Sequence, residues 1–222
     1  MSHFSIKGNY RIQELKDLYK RKNKEISCRL KEFQMIWKEA TDEKIFAELV
    51  FCILTPQASG KLCWAAVETM TRKGILYNGD TCQITEELSG ARFIHKKSAY
   101  IVEARERFYE NGKVCLKTII NTIGNGQLAR EWLVHNIKGI GYKEASHFLR
   151  NIGFDQDLAI LDRHIIKNLE LIGVIGEIPG SLSRKRYLDI EKRMMEFSRA
   201  VRIPMSHLDL LMWYRAKGEV FK

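Results

Sequence analysis

At 222 residues, with 45% hydrophobic and 29% charged side chains, the chain suits one domain or two small lobes with a real core. Thirty-seven Lys and Arg against 27 Asp and Glu leave a net charge of +10, which favours a polyanionic partner and is equally compatible with solvated basic helix faces. No apolar run reaches the roughly 18 residues of a membrane span, and "MSHFSIKGNYRIQEL" lacks the apolar centre of a signal peptide, so the expected location is the cytosol, or wherever any polyanionic partner lies.

In chain order the pattern is helical almost throughout. "KDLYKRKNKEISCRLKEF" carries much of the basic excess near the start, and "SRKRYLDIEKR" carries more of it near the end. Phe46, Leu49, Val50, Ile53 and Leu54 recur at i, i+3, i+4, i+7 and i+8, the spacing of one helix face. Leu128, Trp132 and Leu133 predict a second stripe, and Ala145, Phe148, Leu149 and Ile152 a third. Pro204 opens a last helix with Leu208, Leu211 and Met212 on one side. Breaks at "LTPQASG", "RKGILYNGD", "GNGQ", "KGIG", "NIGFDQD" and "IGEIPGS" divide the chain into about ten helices, an all-α protein. The cysteines at 28, 52, 63, 82 and 115 are odd in number and have no zinc or iron–sulfur spacing, so they read as reduced thiols.

The most informative stretch is "HNIKGIGYKEASHFLRNIG", residues 135–153. One helix should end near His135 and another begin near Tyr142, with a tight glycine hairpin between them. Gly139 and Gly141 permit positive φ and close approach to the backbone, and N–H groups at a helix start suit a phosphate. An ordinary helix–turn–helix corner would need the same glycines. Lys143 stands in the first turn of the second helix, where the helix dipole disfavours a cation and so favours the neutral amine that nucleophilic attack requires. Nineteen residues on, Asp162 follows "LAIL" and precedes an apolar stripe. It is placed as an N-cap, and a carboxylate held that way can also stabilise developing positive charge.

These residues resemble the helix–hairpin–helix DNA glycosylase superfamily, and most of all the type-two 8-oxoguanine DNA glycosylase/AP lyases. "ILTPQASGKLCWAAV" and "LLMWYRAKGEVFK" extend the resemblance over most of the chain. The usual Gly-Pro before the aspartate is absent, replaced by Ile160 and Leu161.

The resemblance implies two helical lobes flanking a DNA-binding cleft: residues 1–54 with 166–222, and residues 55–165 carrying the hairpin. It implies attack of Lys143 on C1′ of the damaged nucleoside, a Schiff base, β-elimination, and Asp162 stabilising the cationic sugar. The nucleotide must first be flipped out. Gln57 matches the side chain that fills the vacated gap, and it reads equally as an exposed polar residue at a helix start. The pocket for the oxidised purine would draw on Met212, Trp213, Phe221 and Lys222, whose terminal carboxylate could accept from N7–H. Core packing for Met212 and Trp213, and a loose tail for Lys222, are the plain alternatives.

Lys61, Lys96, Lys97, Arg150, Arg163 and Lys167 are candidates for backbone contact, alongside Gly139 and Gly141. His135, His147, His164 and His207 have no metal spacing, and the carbonyls of His135, Ile137 and Ile140 could hold a monovalent cation. No other cofactor is implied, and the expected partner is damaged duplex DNA bound by a monomer. Two rivals stay open: a non-catalytic helix–hairpin–helix DNA-binding module, which has no use for Lys143 with Asp162, and a glycosylase for another lesion. The endonuclease III-like branches carry four clustered cysteines near the C-terminus, and nothing after Cys115 is cysteine.

Overall fold

The computed structural model describes residues 6–88, 92–110 and 113–220, with side chains placed from residue 10 onward except at 110 and 113. Among the described residues there are twelve helices: α1 (Ile6–Glu39), α2 (Asp42–Leu54), α3 (Gly60–Arg72), α4 (Ile75–Asn78), α5 (Thr81–Glu87), α6 (Ile94–Phe108), α7 (Leu116–Ile123), α8 (Gly126–Asn136), α9 (Tyr142–Asn151), α10 (Arg163–Leu171), α11 (Arg184–Val201) and α12 (Met205–Lys217). The only strands among them are a two-residue antiparallel ladder, β1 (Tyr109–Glu110) with β2 (Lys113–Val114). The all-α expectation holds. The helix count exceeds the expected ten partly because "ILYN", which reads as a break, closes a single turn after the left-handed Gly74.

Contacts divide the chain into two compact units: residues up to Phe33 together with those from Asp155, and Gln34–Phe154. The expected division put residues 34–54 in the terminal lobe and residues 155–165 in the middle one, and both assignments are corrected. Every residue of α2 from Ile45 to Leu54 is buried. A helix buried all round needs neighbours on every side, and α2 finds them in α3, α6, α7 and α9, all of the middle unit. Residues after 154 are tied to the terminal unit instead, beginning with Gln156 Nε2, which donates to Leu30 O at 3.0 Å.

In the terminal unit, Leu15, Ile26 and Leu30 of α1 are buried, as are Ile165, Ile166 and Leu169 of α10. Tyr187, Ile190, Met194 and Phe197 of α11 are buried too, with Leu208, Leu210, Leu211 and Met212 of α12. Pro204 precedes α12 as its N-cap, so the last helix starts where the sequence placed it. One expected stripe is rotated. Leu128 is 60% exposed, and α8 instead buries Ala129, Arg130 and Leu133. The buried Arg130 side chain bonds Ser146 Oγ at 3.2 Å, so a polar residue occupies an inward position that apolar spacing could not assign.

Candidate active site

The hairpin of the middle unit is built as the sequence implies, with one difference. α8 ends at Asn136 and α9 begins at Tyr142, leaving five residues between them. Gly139 has φ +82, and a Cβ there would meet a ring carbon of Tyr100 at 2.7 Å, so both conformation and space demand glycine. Gly141, which could also take positive φ, instead has φ −99 and ψ −175. It is extended backbone at the N-cap of α9, where a Cβ would lie 3.1 Å from a carboxylate oxygen of Glu144. The two helices are joined across the hairpin: Tyr142 donates its hydroxyl to Glu131, and the Arg130 guanidinium lies 5.5 Å from the Tyr142 ring centre.

Lys143 is the second residue of α9. Its side chain is 23% exposed, and its amine lies 3.5 Å from Glu144 Oε1, a neighbour that sequence spacing does not single out. Close by, burial pushes the Cys52 thiol far above its ordinary range. Glu48 adds to that rise, and the cationic charge of Lys143 opposes it. That thiol stays protonated and is not a competing nucleophile.

The rest of α9 is buried all round, from Ala145 to Asn151. Arg150, expected at the DNA backbone, is therefore corrected to a core group: 3% exposed, it bonds Asn151 Oδ1 through Nε (3.3 Å) and Nη2 (3.1 Å). Asn151 in turn donates to Glu48 Oε2 at 3.4 Å. His147 is buried with its ring edge-on to Phe51 at 5.5 Å, a core histidine. His135 is exposed, and its Nδ1–H donates to Glu131 O at 2.7 Å.

Asp162 belongs to the terminal unit. It is the N-cap of α10, and one carboxylate oxygen accepts from the N–H of His164 and of Ile165, both at 2.8 Å. A single oxygen thus serves the cap. The approach to it is buried: Leu158, Ala159, Ile160 and Leu161 are at most 6% exposed. Two side chains of α11 hold this approach. Tyr187 donates its hydroxyl to Ala159 O (2.6 Å) and accepts from Leu161 N–H (3.3 Å), while Glu191 accepts from Ala159 N–H (2.8 Å). Sequence reasoning misses both residues, because nothing local marks a tyrosine and a glutamate 26 to 32 residues downstream as partners of this loop.

Beside Asp162, burial pulls His164 below its ordinary value, with Asp162 opposing and Lys217 assisting. Its Nε2 accepts from Arg163 Nε at 3.3 Å, and its ring meets Trp213 edge-on at 5.5 Å. Arg163 itself is exposed, as are Lys61 and Lys167. Among the described residues no acceptor meets the buried indole N–H of Trp213, and Lys217 lies 5.9 Å from the indole centre. Met212, expected in a base pocket, is fully buried and is corrected to core packing. Phe221 and Lys222 lie outside the described residues.

Gln57 is exposed, with φ +56, and accepts from Arg92 Nη1 at 3.1 Å. Lys97, expected at the DNA backbone, is corrected: it is 4% exposed and donates to Leu54 O and Pro56 O. Lys96 is exposed. Among the described residues no group of three His, Cys, Asp or Glu could hold a metal ion, and no helix is long and apolar enough to cross a membrane.

The profile of the 8-oxoguanine DNA glycosylase family matches residues 26–203. A Fusobacterium nucleatum protein named 8-oxoguanine DNA glycosylase/AP lyase is 44% identical over 217 residues, covering 98% of this chain and 100% of that protein. The chain belongs to the 8-oxoguanine DNA glycosylase family. Among family members of known structure, the Thermotoga maritima 8-oxoguanine DNA glycosylase superposes with a TM-score of 0.86 at 35% identity, covering 97% of this chain and all of that one. The Methanocaldococcus jannaschii 8-oxoguanine glycosylase/lyase, solved in complex with a 15mer DNA containing 8-oxoguanine, superposes with a TM-score of 0.85 at 38% identity over 95% of this chain and 99% of that one. As an 8-oxoguanine DNA glycosylase family member, the chain is set apart from the endonuclease III-like branches. At the Ile160-Leu161 departure before Asp162, the Leu161 N–H donates to the Tyr187 hydroxyl at 3.3 Å.

Proposed function

We propose that this chain is a bifunctional DNA glycosylase and AP lyase of base excision repair that removes 8-oxoguanine from duplex DNA. The observation that carries the reading is the setting of Lys143: a part-exposed amine on the first turn after the glycine hairpin, near a buried and inert thiol. The names borne by relatives sharing nearly the full length support the substrate.

In this reading the hairpin N–H groups hold a phosphate, and the damaged nucleotide leaves the stack at a cost of a few kcal/mol. The Lys143 amine, once it has given up its proton, attacks C1′, and the bond from C1′ to the base nitrogen breaks, its electron pair leaving with the base. Loss of the amine proton and opening of the sugar give a Schiff base at C1′. Removal of a C2′ proton then expels the 3′ phosphate by β-elimination. Asp162 uses one oxygen to cap α10 and offers the other to the cationic sugar, where a fixed carboxylate acts without reorganising.

Gln57 fills the gap left by the flipped nucleotide. The indole N–H of Trp213, buried without an acceptor among the described residues, serves base recognition, with Phe221 and Lys222 as further candidate base contacts. The carbonyls of His135, Ile137 and Ile140 would hold a monovalent cation, which would stiffen the hairpin and take no part in the chemistry. The protein works as a cytosolic monomer, and its +10 charge draws it to DNA.

Borohydride trapping on a duplex containing 8-oxoguanine tests this reading. The wild-type protein should give a covalent adduct, and Lys143→Gln should give none while still binding the duplex. No adduct with the wild type would leave a binding module instead, and an adduct that survives in Lys143→Gln would move the nucleophile to another amine.

A further inference from the structure

The four residues Thr55–Ala58 form a turn closed by Ala58 N–H donating to Thr55 O at 3.1 Å. Pro56 takes its second position, as turns of this kind prefer, and Gln57 takes the third with φ +56. That third position normally goes to glycine when φ is positive. Gln57 is one of only three non-glycine residues at positive φ among those described, with Phe93 and Arg202. Such a conformation persists only where the surroundings enforce it.

The enforcing group is Lys97. Its ammonium, on a side chain buried to 4% exposure, donates to Leu54 O at 2.7 Å and to Pro56 O at 2.8 Å. The first of these carbonyls ends α2, and the second belongs to the turn itself. The Cys63 thiol donates to Leu54 O as well, at 3.4 Å. A buried cation is costly unless fully hydrogen-bonded, and an ordinary helix end would be served by water or a glycine. Two further features point to the turn as the object of this arrangement: the Gln57 side chain is itself held, by Arg92 at 3.1 Å, and Gln57 is exposed.

We propose that Lys97 is a positioning residue for Gln57, locking the turn in its strained form so that the amide is already shaped to enter a duplex as a nucleotide leaves. The inference rests on the glycosylase reading above and adds to it a residue whose own side chain never reaches DNA. A rigid wedge lowers the cost of extrusion because no turn has to be ordered at that moment.

The test compares two substrates under single-turnover conditions. Lys97→Met should slow excision of 8-oxoguanine from duplex DNA by about tenfold, while β-elimination at a preformed abasic site in single-stranded DNA, which needs no extrusion, stays within about twofold. Gln57→Ala should show the same split, and the double variant should be no slower than the slower single one. Equal slowing on both substrates, or effects that multiply in the double variant, would overturn the proposal and leave Lys97 as a helix cap. Should Lys97→Met not fold, Arg92→Ala at the exposed end of the same arrangement takes its place. It should slow duplex excision alone with thermal unfolding unchanged, and no change would again overturn the idea. Absence of excision by the wild-type protein would instead sink the glycosylase reading itself.

Discussion

The two residues assigned to the chemistry are fixed by different means. Lys143 is placed by its neighbours in sequence: a left-handed glycine, an extended glycine and the start of a helix define where it stands within five residues. Asp162 is placed half by its own helix, which takes one of its oxygens, and half by Tyr187 and Glu191, which hold the stretch of chain leading to it. A backbone device works wherever the turn forms. A side-chain clamp works only once α11 has packed. The lysine's setting should therefore survive changes in the surrounding core, and the aspartate's should not.

The largest effect expected from this contrast is that of Asp162→Asn. The amide oxygen can still accept both N–H groups of the cap, so thermal stability should change little, while loss of the charge should slow excision on the order of 100-fold. A variant that loses stability and activity together would mean that the cap is the whole role. Next comes Tyr187→Phe, which deprives Ala159 O and Leu161 N–H of their partner in a buried place. Urea unfolding should show a loss of about 1–3 kcal/mol, and kcat should fall several-fold with KM unchanged, because the loop before Asp162 loosens.

The glycines refine the other side of the comparison. Gly139→Ala should cost about 1–2 kcal/mol, from the left-handed backbone and the Tyr100 contact together, and weaken binding to undamaged duplex. Gly141→Ala, at an ordinary φ, should cost less than about 1 kcal/mol. Equal penalties in urea unfolding would refute the assignment of one special and one ordinary glycine.

The smallest effect concerns pH. Burial lowers His207, which shares a 3.1 Å hydrogen bond with the Tyr19 hydroxyl, below its ordinary 6.5. The unfolded chain then binds a proton near that value while the folded one does not, so stability is complete above 6.5 and declines as pH drops through the folded-state value. His164 acts in the same direction. The melting temperature should fall by a few degrees between about pH 7.5 and pH 5.5, and less in His207→Gln.

Much of this was legible without coordinates. The hairpin's ends, the capping role of Asp162 and the start of α12 follow from signals that act within one turn: glycine conformation, carboxylate-to-N–H geometry and a proline's fixed φ. The misses share a different origin. Arg150 and Lys97 look like surface cations because lysine and arginine usually are, and only the packing of α9 and α6 against α2 puts them inside. Met212 sits on a helix apolar on most sides, where spacing cannot say which face meets the core and which a ligand. The unit boundary is displaced from the expected one because α2 continues the N-terminal segment in sequence while its contacts lie with the middle unit.

The amino-acid sequence by itself determined the helical class, the glycine hairpin, the lysine that follows it, the capping aspartate and the family, since each depends on residues close together along the chain. The tertiary structure alone decided which cations are buried, which glycine carries the strain, and that Tyr187, Glu191 and Lys97 support residues far from them in sequence. Such pairings arise when helices pack and buried polar groups take whatever partners that packing brings, and no local pattern encodes that choice.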